Sequence, residues 1–446
     1  MSGGVAVPAL AGVVMAIGLF YRPGRTAAAL LLFAPIIWGF GSADFDARGD
    51  SGLTLVAVVS GVLTLMSARW LLVKVDDPAA IWIRRAAIFY SLATFPSILV
   101  SPTFTRSAGG YLRLVCPVLF MFLVWHCSQR RYLKTVQLQA IALSTLCMCG
   151  MVGAAYYTGK NTYYMGGFYR LRAFNLPPQH ISLYSVVLIS VLTGGVLMAK
   201  HRARYVAGIV VLLLFTYQTG YRTAWVGIAL VLATIMIVAV RSGLAKFAAI
   251  IVTIALTAFS GAIINSVTRY APAGDAANGD MLNVITSGRV ATDTIALRRY
   301  FTGNPKELLF GLGIFSSENV TLEGEGTGYI VHNDYLATLV ECGFVGALGY
   351  LLLVAAIGRT LYVRMRTWPR RHPGRTLSAV AFACFVAFTV MGVPSALYTN
   401  VFIGCYYYGF LGIVLAQKPG PANGRSPEGL DREENAIGTS MPAFLT

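Results

Sequence analysis

Charged side chains are scarce in this sequence. Asp, Glu, Lys and Arg make up 12% of its 446 residues, about half of the roughly 25% that is usual for a soluble domain. Apolar residues make up 56% and occur in runs close to the roughly 20 residues that a helix needs to cross a bilayer. Because water could not solvate this composition, it excludes a set of soluble domains and predicts an all-α, polytopic transmembrane helix bundle embedded in a lipid bilayer.

Acidic residues are the scarcest charged group. The chain has 18 Asp and Glu against 35 Lys and Arg, which gives a formal net charge of +17. In a soluble protein this excess would suggest nucleic acid. No basic stretch lies in a soluble module with interleaved aromatics, so we expect no nucleic acid partner. Membrane proteins instead keep Lys and Arg in cytoplasmic loops.

Motifs for nucleotides and metals are also missing. The sequence has no Walker loop, which argues against nucleotide-driven pumping, and Gly311-Leu312-Gly313 lacks the third glycine of a dinucleotide fingerprint. Cys147 and Cys149 are two positions apart, which is not the spacing of zinc ligands. The sequence predicts neither a metal site nor a cofactor.

Apolar segments predict about 12–13 membrane spans. They lie near 4–21, 26–43, 52–68, 86–101, 111–127, 135–157, 181–199, 205–219, 223–240, 245–267, 335–363, 376–396 and 399–417. The chain then divides into N-terminal transmembrane helices (1–157), a loop (158–180), central transmembrane helices (181–267), a large loop (268–334), C-terminal transmembrane helices (335–417) and a disordered, cytoplasmic tail (418–446).

The distribution of basic residues predicts the orientation of the bundle. With the N-terminus outside, every alternate loop is basic, as at Arg22, Arg130 and Arg202, which agrees with the bias of cytoplasmic loops. Both long loops then lie outside. In the second loop we expect an amphipathic helix over 289–301, which Gly303-Asn304-Pro305 would end.

Arginines in the outer segments are candidates for ligand binding because they oppose this bias. Arg222 lies between two apolar spans, and no acidic residue is near it in sequence; an arginine at membrane depth costs about 2.5–3.5 kcal/mol unless it is paired or hydrated. Either an anionic ligand or snorkelling to lipid headgroups would compensate. Arg170 and Arg172 occur in a tyrosine-rich loop, a composition that suits a sugar phosphate but also an interfacial aromatic belt.

One histidine is a candidate base. His332 is followed by Asn333, Asp334 and Tyr335, where the large loop re-enters the membrane. A neutral imidazole at this position could take a proton from a hydroxyl nucleophile near neutral pH. The alternative is a capping or interfacial histidine.

Several elements together resemble the superfamily of O-antigen ligases and O-antigen polymerases. They are, in order, Arg172-Ala173-Phe174-Asn175-Leu176-Pro177, Thr219-Gly220-Tyr221-Arg222-Thr223-Ala224, Thr286-Ser287-Gly288-Arg289, Asn304-Pro305, Gly311-Leu312-Gly313, His332-Asn333-Asp334-Tyr335-Leu336 and Gly343-Phe344-Val345-Gly346. No single element is specific, but their order is similar to that of the family across residues 170–350. Either Arg170 or Arg172 corresponds to the first arginine of the family.

The resemblance implies a metal-independent glycosyltransferase in the bacterial inner membrane, with its active site facing the periplasm. The donor would be a glycan on undecaprenyl pyrophosphate, and the acceptor would be a glycan (polymerase, which we favour slightly) or lipid A–core (ligase). The implied catalytic residues are Arg222 and His332. The implied substrate-binding residues are Arg170, Arg172, Arg289, Asn333 and Tyr335.

Two other classes of protein fit the composition. A transporter or flippase of lipid-linked oligosaccharide would show pseudo-repeated halves and charged residues near the bilayer midplane, and the sequence shows neither. A structural membrane subunit would leave Arg222 and His332 without a role.

Overall fold

The computed structural model describes residues 3–41, 55–73, 77–101, 104–165, 168–199, 202–239, 289–314, 316, 331–369, 372–395, 397 and 400–417. The helices are α1 (Gly3–Tyr21), α2 (Pro23–Gly41), α3 (Leu55–Leu72), α4 (Pro78–Thr94), α5 (Pro96–Val100), α6 (Phe104–Ser128), α7 (Arg131–Tyr157), α8 (Pro178–Met198), α9 (Ala203–Thr219), α10 (Arg222–Ala239), α11 (Arg289–Phe301), α12 (Pro305–Phe310), α13 (Asp334–Thr367), α14 (Pro373–Met391) and α15 (Val401–Leu415). Two short strands are β1 (Thr162–Met165) and β2 (Phe168–Leu171).

The helices confirm the all-α membrane bundle. In the described part of the chain, six helical stretches are long and apolar enough to cross a membrane, among them Pro178–Met198 and Asp334–Thr367, and six shorter apolar helices accompany them. Each predicted span overlaps one of these helices, except the span at 245–267, which lies outside the described residues. The protein is therefore a multi-pass membrane protein that associates with a bilayer through its apolar helices.

One end of the bundle, which we call the basic end, is held together by Arg364 near the end of α13. Its side chain is buried and donates hydrogen bonds to the carbonyls of Leu415 and Gln417, at and just beyond the C-terminal end of α15. The same guanidinium forms an ion pair with Asp77, the N-cap of α4. The Arg364 side chain thus joins three chain segments that are remote in sequence, and its charge is compensated by a carboxylate and by backbone carbonyls, as a buried ion pair requires.

The N-terminal helices meet at the same end. Arg69 of α3 donates to the carbonyl of Leu19 in α1 at 2.9 Å. Gln137 of α7 donates to the carbonyl of Gly24 in α2 at 3.3 Å. Helices α1 and α3 end at the basic end, whereas α2 and α7 begin there. Consecutive helices therefore run in alternating directions, as the alternating basic loops predict.

The opposite end, which we call the loop end, carries the β1–β2 hairpin in the 158–180 segment. The strands pair antiparallel, with Thr162 opposite Leu171 and Met165 opposite Phe168. The hairpin differs from the loop predicted for residues 158–180. The signal is present in the sequence, because Gly166-Gly167 between two runs rich in aromatic residues favours a two-residue hairpin turn.

The amphipathic helix predicted over 289–301 is confirmed as α11, which spans Arg289–Phe301. The predicted breakers follow it, and Asn304 is the N-cap of α12, in a capping box with Glu307. Glu307 also pairs with Arg299 of α11 at 3.1 Å. Two short helices are therefore fixed in a tight corner by one carboxylate.

We expect the α11–α12 corner to loosen in acid. The side-chain hydrogen bond from Arg299 lowers the pKa of Glu307 from its ordinary value of 4.5. A carboxylate with a lowered folded-state pKa stabilises the fold above its unfolded pKa, and this contribution disappears as the pH falls through the folded value. Replacing Glu307 by alanine removes both bonds and, at about 1 kcal/mol, should raise amide hydrogen exchange of Leu308 and Leu309 about fivefold at pH 7.

Glu307→Gln is the matched variant for this measurement, because glutamine keeps the capping acceptor and removes only the charge. Its exchange rates should lie between those of the native protein and Glu307→Ala at neutral pH, and its protection factors (the intrinsic exchange rate at each pH divided by the observed rate) should not change on acidification. Equal exchange rates in all three proteins would show that the carboxylate does not hold the corner.

The backbone after α12 packs against α13 at two glycines, Gly311 and Gly343. Gly343 interrupts α13 with φ 70° and ψ −175°, and Gly311 has φ 82° and ψ −179°, a conformation that is essentially restricted to glycine. The interruption frees the carbonyls of Val340 and Glu341, which accept hydrogen bonds from the amides of Leu312 (2.9 Å) and Gly313 (3.1 Å). The two glycine elements of the family resemblance thus pack backbone against backbone.

Candidate functional site

Arg222 is the first residue of α10, directly after a sharp turn at the loop end. Helix α9 ends at Thr219, and Gly220 adopts a left-handed conformation (φ 63°) that caps it. The Thr219 hydroxyl lies 2.5 Å from that of Ser182 in α8. Because this turn is anchored to a neighbouring helix, the start of α10 is held in a fixed position.

The hairpin brings Arg170 to this turn. The Nε atom of Arg170 in β2 lies 3.8 Å from the position that a Cβ atom on Gly220 would occupy. A Cβ atom at Gly220 would be in ordinary van der Waals contact with the Arg170 side chain, so Arg170 packs against the turn that precedes Arg222. Two of the arginines predicted from the sequence as site residues thus belong to the same part of the structure.

Arg172 has a different position. Its Nε atom donates a hydrogen bond to the carbonyl of Phe174 at 2.6 Å, and Phe174 has a positive φ of 53°. The backbone amide of Arg172 bonds to the carbonyl of Asn161. These contacts hold the chain between β2 and α8, so the structure favours Arg170 over Arg172 as the neighbour of Arg222.

The segment containing His332 forms the start of α13. Asn333 is the N-cap, and its side-chain oxygen accepts from the amides of Tyr335 and Leu336, both at 3.1 Å. The Tyr335 hydroxyl donates to the carbonyl of Thr389 in α14 at 2.8 Å. Asn333 and Tyr335, selected as substrate-binding residues, therefore have structural contacts that fix the position of the half-buried His332.

The C-terminal end of α14 joins the two halves of the candidate site. The amide of Asp334 donates to the carbonyl of Gly392 at 2.7 Å. The hydroxyl of Tyr221, next to Arg222, lies 2.7 Å from that of Ser395. The starts of α10 and α13 consequently dock on one short segment, and Arg170, Arg222 and His332 all lie at the loop end.

A largely apolar cavity with several polar side chains in its lining lies beneath this surface and was not expected from the sequence. Its volume is about 70 Å³, enough for roughly two water molecules. Its polar and aromatic lining includes Arg113, Asp334, Asn400, Tyr90 and Tyr350. The lining residues come from five separate segments of the chain, and no local spacing in the sequence indicates that they meet.

Asp334 is the lining residue closest in sequence to the candidate base, and it is almost fully buried. Asn400 in turn forms a side-chain hydrogen bond with His180, in the first turn of α8. His180 is thus a buried residue at the start of a helix. The cavity places a carboxylate, an arginine and an amide in the interior next to the surface that carries His332.

The remaining predicted residue is Arg289. It begins α11, but its side chain lies outside the described residues. In the described ranges, no group of three or more His, Cys, Asp or Glu side chains is arranged to hold a metal ion.

No protein-family model matches the chain, and no curated protein matches it.

Proposed function

We propose that the protein is a glycosyltransferase of the O-antigen polymerase and ligase type. It would move a glycan from undecaprenyl pyrophosphate to a sugar hydroxyl at the loop end, which would face the periplasm of a bacterial inner membrane. The observation that carries this proposal is the docking of two segments on the C-terminal end of α14. One begins at Arg222, with Arg170 beside it, and the other contains His332.

The reaction needs two kinds of group, and this end of the bundle has both. The acceptor hydroxyl attacks the anomeric carbon, the bond from that carbon to the pyrophosphate oxygen breaks, and the lipid pyrophosphate leaves. Charge that develops on the leaving group would be stabilised by the guanidinium groups of Arg170 and Arg222, whose planar forks match phosphate oxygens. His332 would take the proton of the attacking hydroxyl.

The apolar helices provide the environment that the donor requires. Leu214 and Tyr217 of α9 are exposed large side chains close to the Arg222 turn, and in a bilayer they would contact lipid. A polyprenyl tail could therefore remain in the hydrocarbon while its pyrophosphate reaches the arginines at the rim. Exposed Tyr157 and Tyr169 near the hairpin offer aromatic faces to sugar rings.

Replacing His332 tests the proposed chemistry. In a bilayer preparation supplied with the lipid-linked glycan that accumulates in host cells lacking this chain, His332→Ala should lower release of polyprenyl pyrophosphate about 10²–10⁴-fold. His372→Asn is the matched control. It removes an imidazole at the basic end while keeping an acceptor that can cap α14, as His372 does.

The same preparation separates the alternatives. Longer glycan chains without added lipid A–core identify a polymerase, and transfer only to lipid A–core identifies a ligase. Movement of the intact donor between leaflets with no pyrophosphate release would identify a transporter and contradict the proposal. Full activity of a well-folded His332→Ala variant would remove His332 from the mechanism.

A further inference from the structure

A wide cleft is present at the basic end, remote from the candidate site. It lies between the starts of α2 and α7 and has a volume of about 800 Å³, within the range of roughly 300–1,000 Å³ that is usual for ligand sites. Its lining consists of Tyr21, Arg22, Pro23, Gly24, Arg25, Trp70, His126, Cys127, Gln129, Arg130, Tyr132 and Leu133.

The charged groups among the described residues of this lining are positive. They are Arg22, Arg25 and Arg130, and none of the described lining residues is acidic. The ion pairs of Arg299 and Arg364 do not involve these three arginines. Three guanidinium groups on one concave surface create a positive potential that attracts an anion.

The wall of the cleft is fixed by buried contacts. The starts of α2 and α7 approach so closely that a Cβ atom on Gly24 would lie 2.6 Å from Leu133. The buried side chain of Gln137 donates to the carbonyl of Gly24 and accepts a hydrogen bond from Ser128. These contacts fix the start of α2, which carries Arg22 and Arg25, relative to the start of α7, which Arg130 precedes.

The two helix starts add to the positive potential. Helix α2 has 19 residues and α7 has 27, and each N-terminus carries about half a positive charge. The ring of Trp70, which packs against His126 with centroids 5.5 Å apart, gives the cleft an aromatic side. The cleft therefore combines guanidinium groups, whose geometry matches phosphate oxygens, with aromatic rings that can contact an apolar or planar group.

We propose that this cleft binds a phosphate group, carried by either an anionic phospholipid headgroup or a soluble phosphate ester. A basic pocket between membrane helices is a common form of headgroup site. This inference does not depend on the proposed glycosyl transfer, because the residues involved lie at the other end of the bundle.

Lipid binding by the full chain tests the proposal. The protein is placed in nanodiscs of phosphatidylcholine, with or without phosphatidylglycerol, and bound lipid is measured by native mass spectrometry after release. We expect selective retention of phosphatidylglycerol, and the double substitution Arg22→Gln with Arg130→Gln should weaken it roughly 30-fold. Arg202→Gln with Arg375→Gln removes the same charge from the basic end outside the cleft and should have little effect.

A second titration distinguishes the two sources of phosphate. Inorganic phosphate and glycerol phosphate are added to the protein in phosphatidylcholine nanodiscs, and thermal unfolding is followed. Stabilisation that depends on Arg22 and Arg130, without phosphatidylglycerol selectivity, identifies a soluble ester. Equal retention of both lipids together with no stabilisation by phosphate would overturn the proposal, as would equal losses in the two double variants.

Discussion

Replacing Arg222 by alanine is expected to lower glycan transfer about 10²–10³-fold, the usual effect of removing one group that stabilises developing negative charge. The residue begins α10 at a turn fixed by Gly220 and by the contact of Thr219 with Ser182. Its side chain is therefore held where the pyrophosphate would leave. The measurement is the rate of polyprenyl pyrophosphate release under single-turnover conditions, which separates chemistry from donor binding.

Matched variants make this result specific. Arg222→Lys keeps the charge but loses the planar fork, so it should recover only part of the rate. Arg298→Ala removes an exposed arginine of α11 and should leave the rate unchanged. Arg170→Ala should reproduce the loss, whereas Arg172→Lys should have a smaller effect, because Arg172 supports the loop backbone at Phe174. A normal rate for folded Arg222→Ala would contradict the proposed clamp.

Replacing Gly343 by alanine is expected to destabilise the bundle by about 3–5 kcal/mol, from backbone strain and overpacking together. The new Cβ atom would lie 2.3 Å from the carbonyl oxygen of Leu309 and 2.4 Å from the amide nitrogen of Gly311. Both obstacles are backbone atoms, so no side-chain rotation can relieve the clash. The measurement is the yield and thermal unfolding temperature of the protein in detergent.

The chain offers a precise comparison for this effect. Gly150 and Gly153 lie in α7, and a Cβ atom on either would meet nothing within 4 Å. Alanine at these positions should be neutral or slightly stabilising, because alanine is the better helix former. Gly311→Ala should behave like Gly343→Ala, since its Cβ atom would lie 2.2 Å from the carbonyl oxygen of Glu341. Normal stability of Gly343→Ala would show that α13 can adopt an uninterrupted helix.

The spans could be predicted from the sequence because a bilayer fixes how long an apolar helix must be. Helix α11 could be predicted for a local reason as well, since its periodicity ends at Gly303-Asn304-Pro305. The interruption of α13 could not. A glycine within an apolar run is compatible with a straight helix. The conformation of Gly343 depends on the segment around Gly311, which packs against it and is 32 positions away in sequence.

The sequence predicts at which end of the bundle the candidate site lies, but it does not predict the contacts that bring the site residues together. Residues at the starts of α10 and α13 had to lie on one side if the spans alternate. That both starts dock on the end of α14, through Ser395 and Gly392, depends on how the helices pack. The position of Arg170 could not be predicted either. The pairing of β1 with β2 brings it to Gly220, and the sequence predicted only a loop over residues 158–180.

The ion pair of Asp77 with Arg364 has a consequence for biosynthesis. The two residues are 287 positions apart, and a chain emerges from the ribosome N-terminus first. The ion pair at the start of α4 can therefore form only after α13 has been synthesised and inserted. Translation products that stop before α13 will expose an aspartate without this arginine, a mark by which quality-control proteases could distinguish unfinished molecules from complete ones.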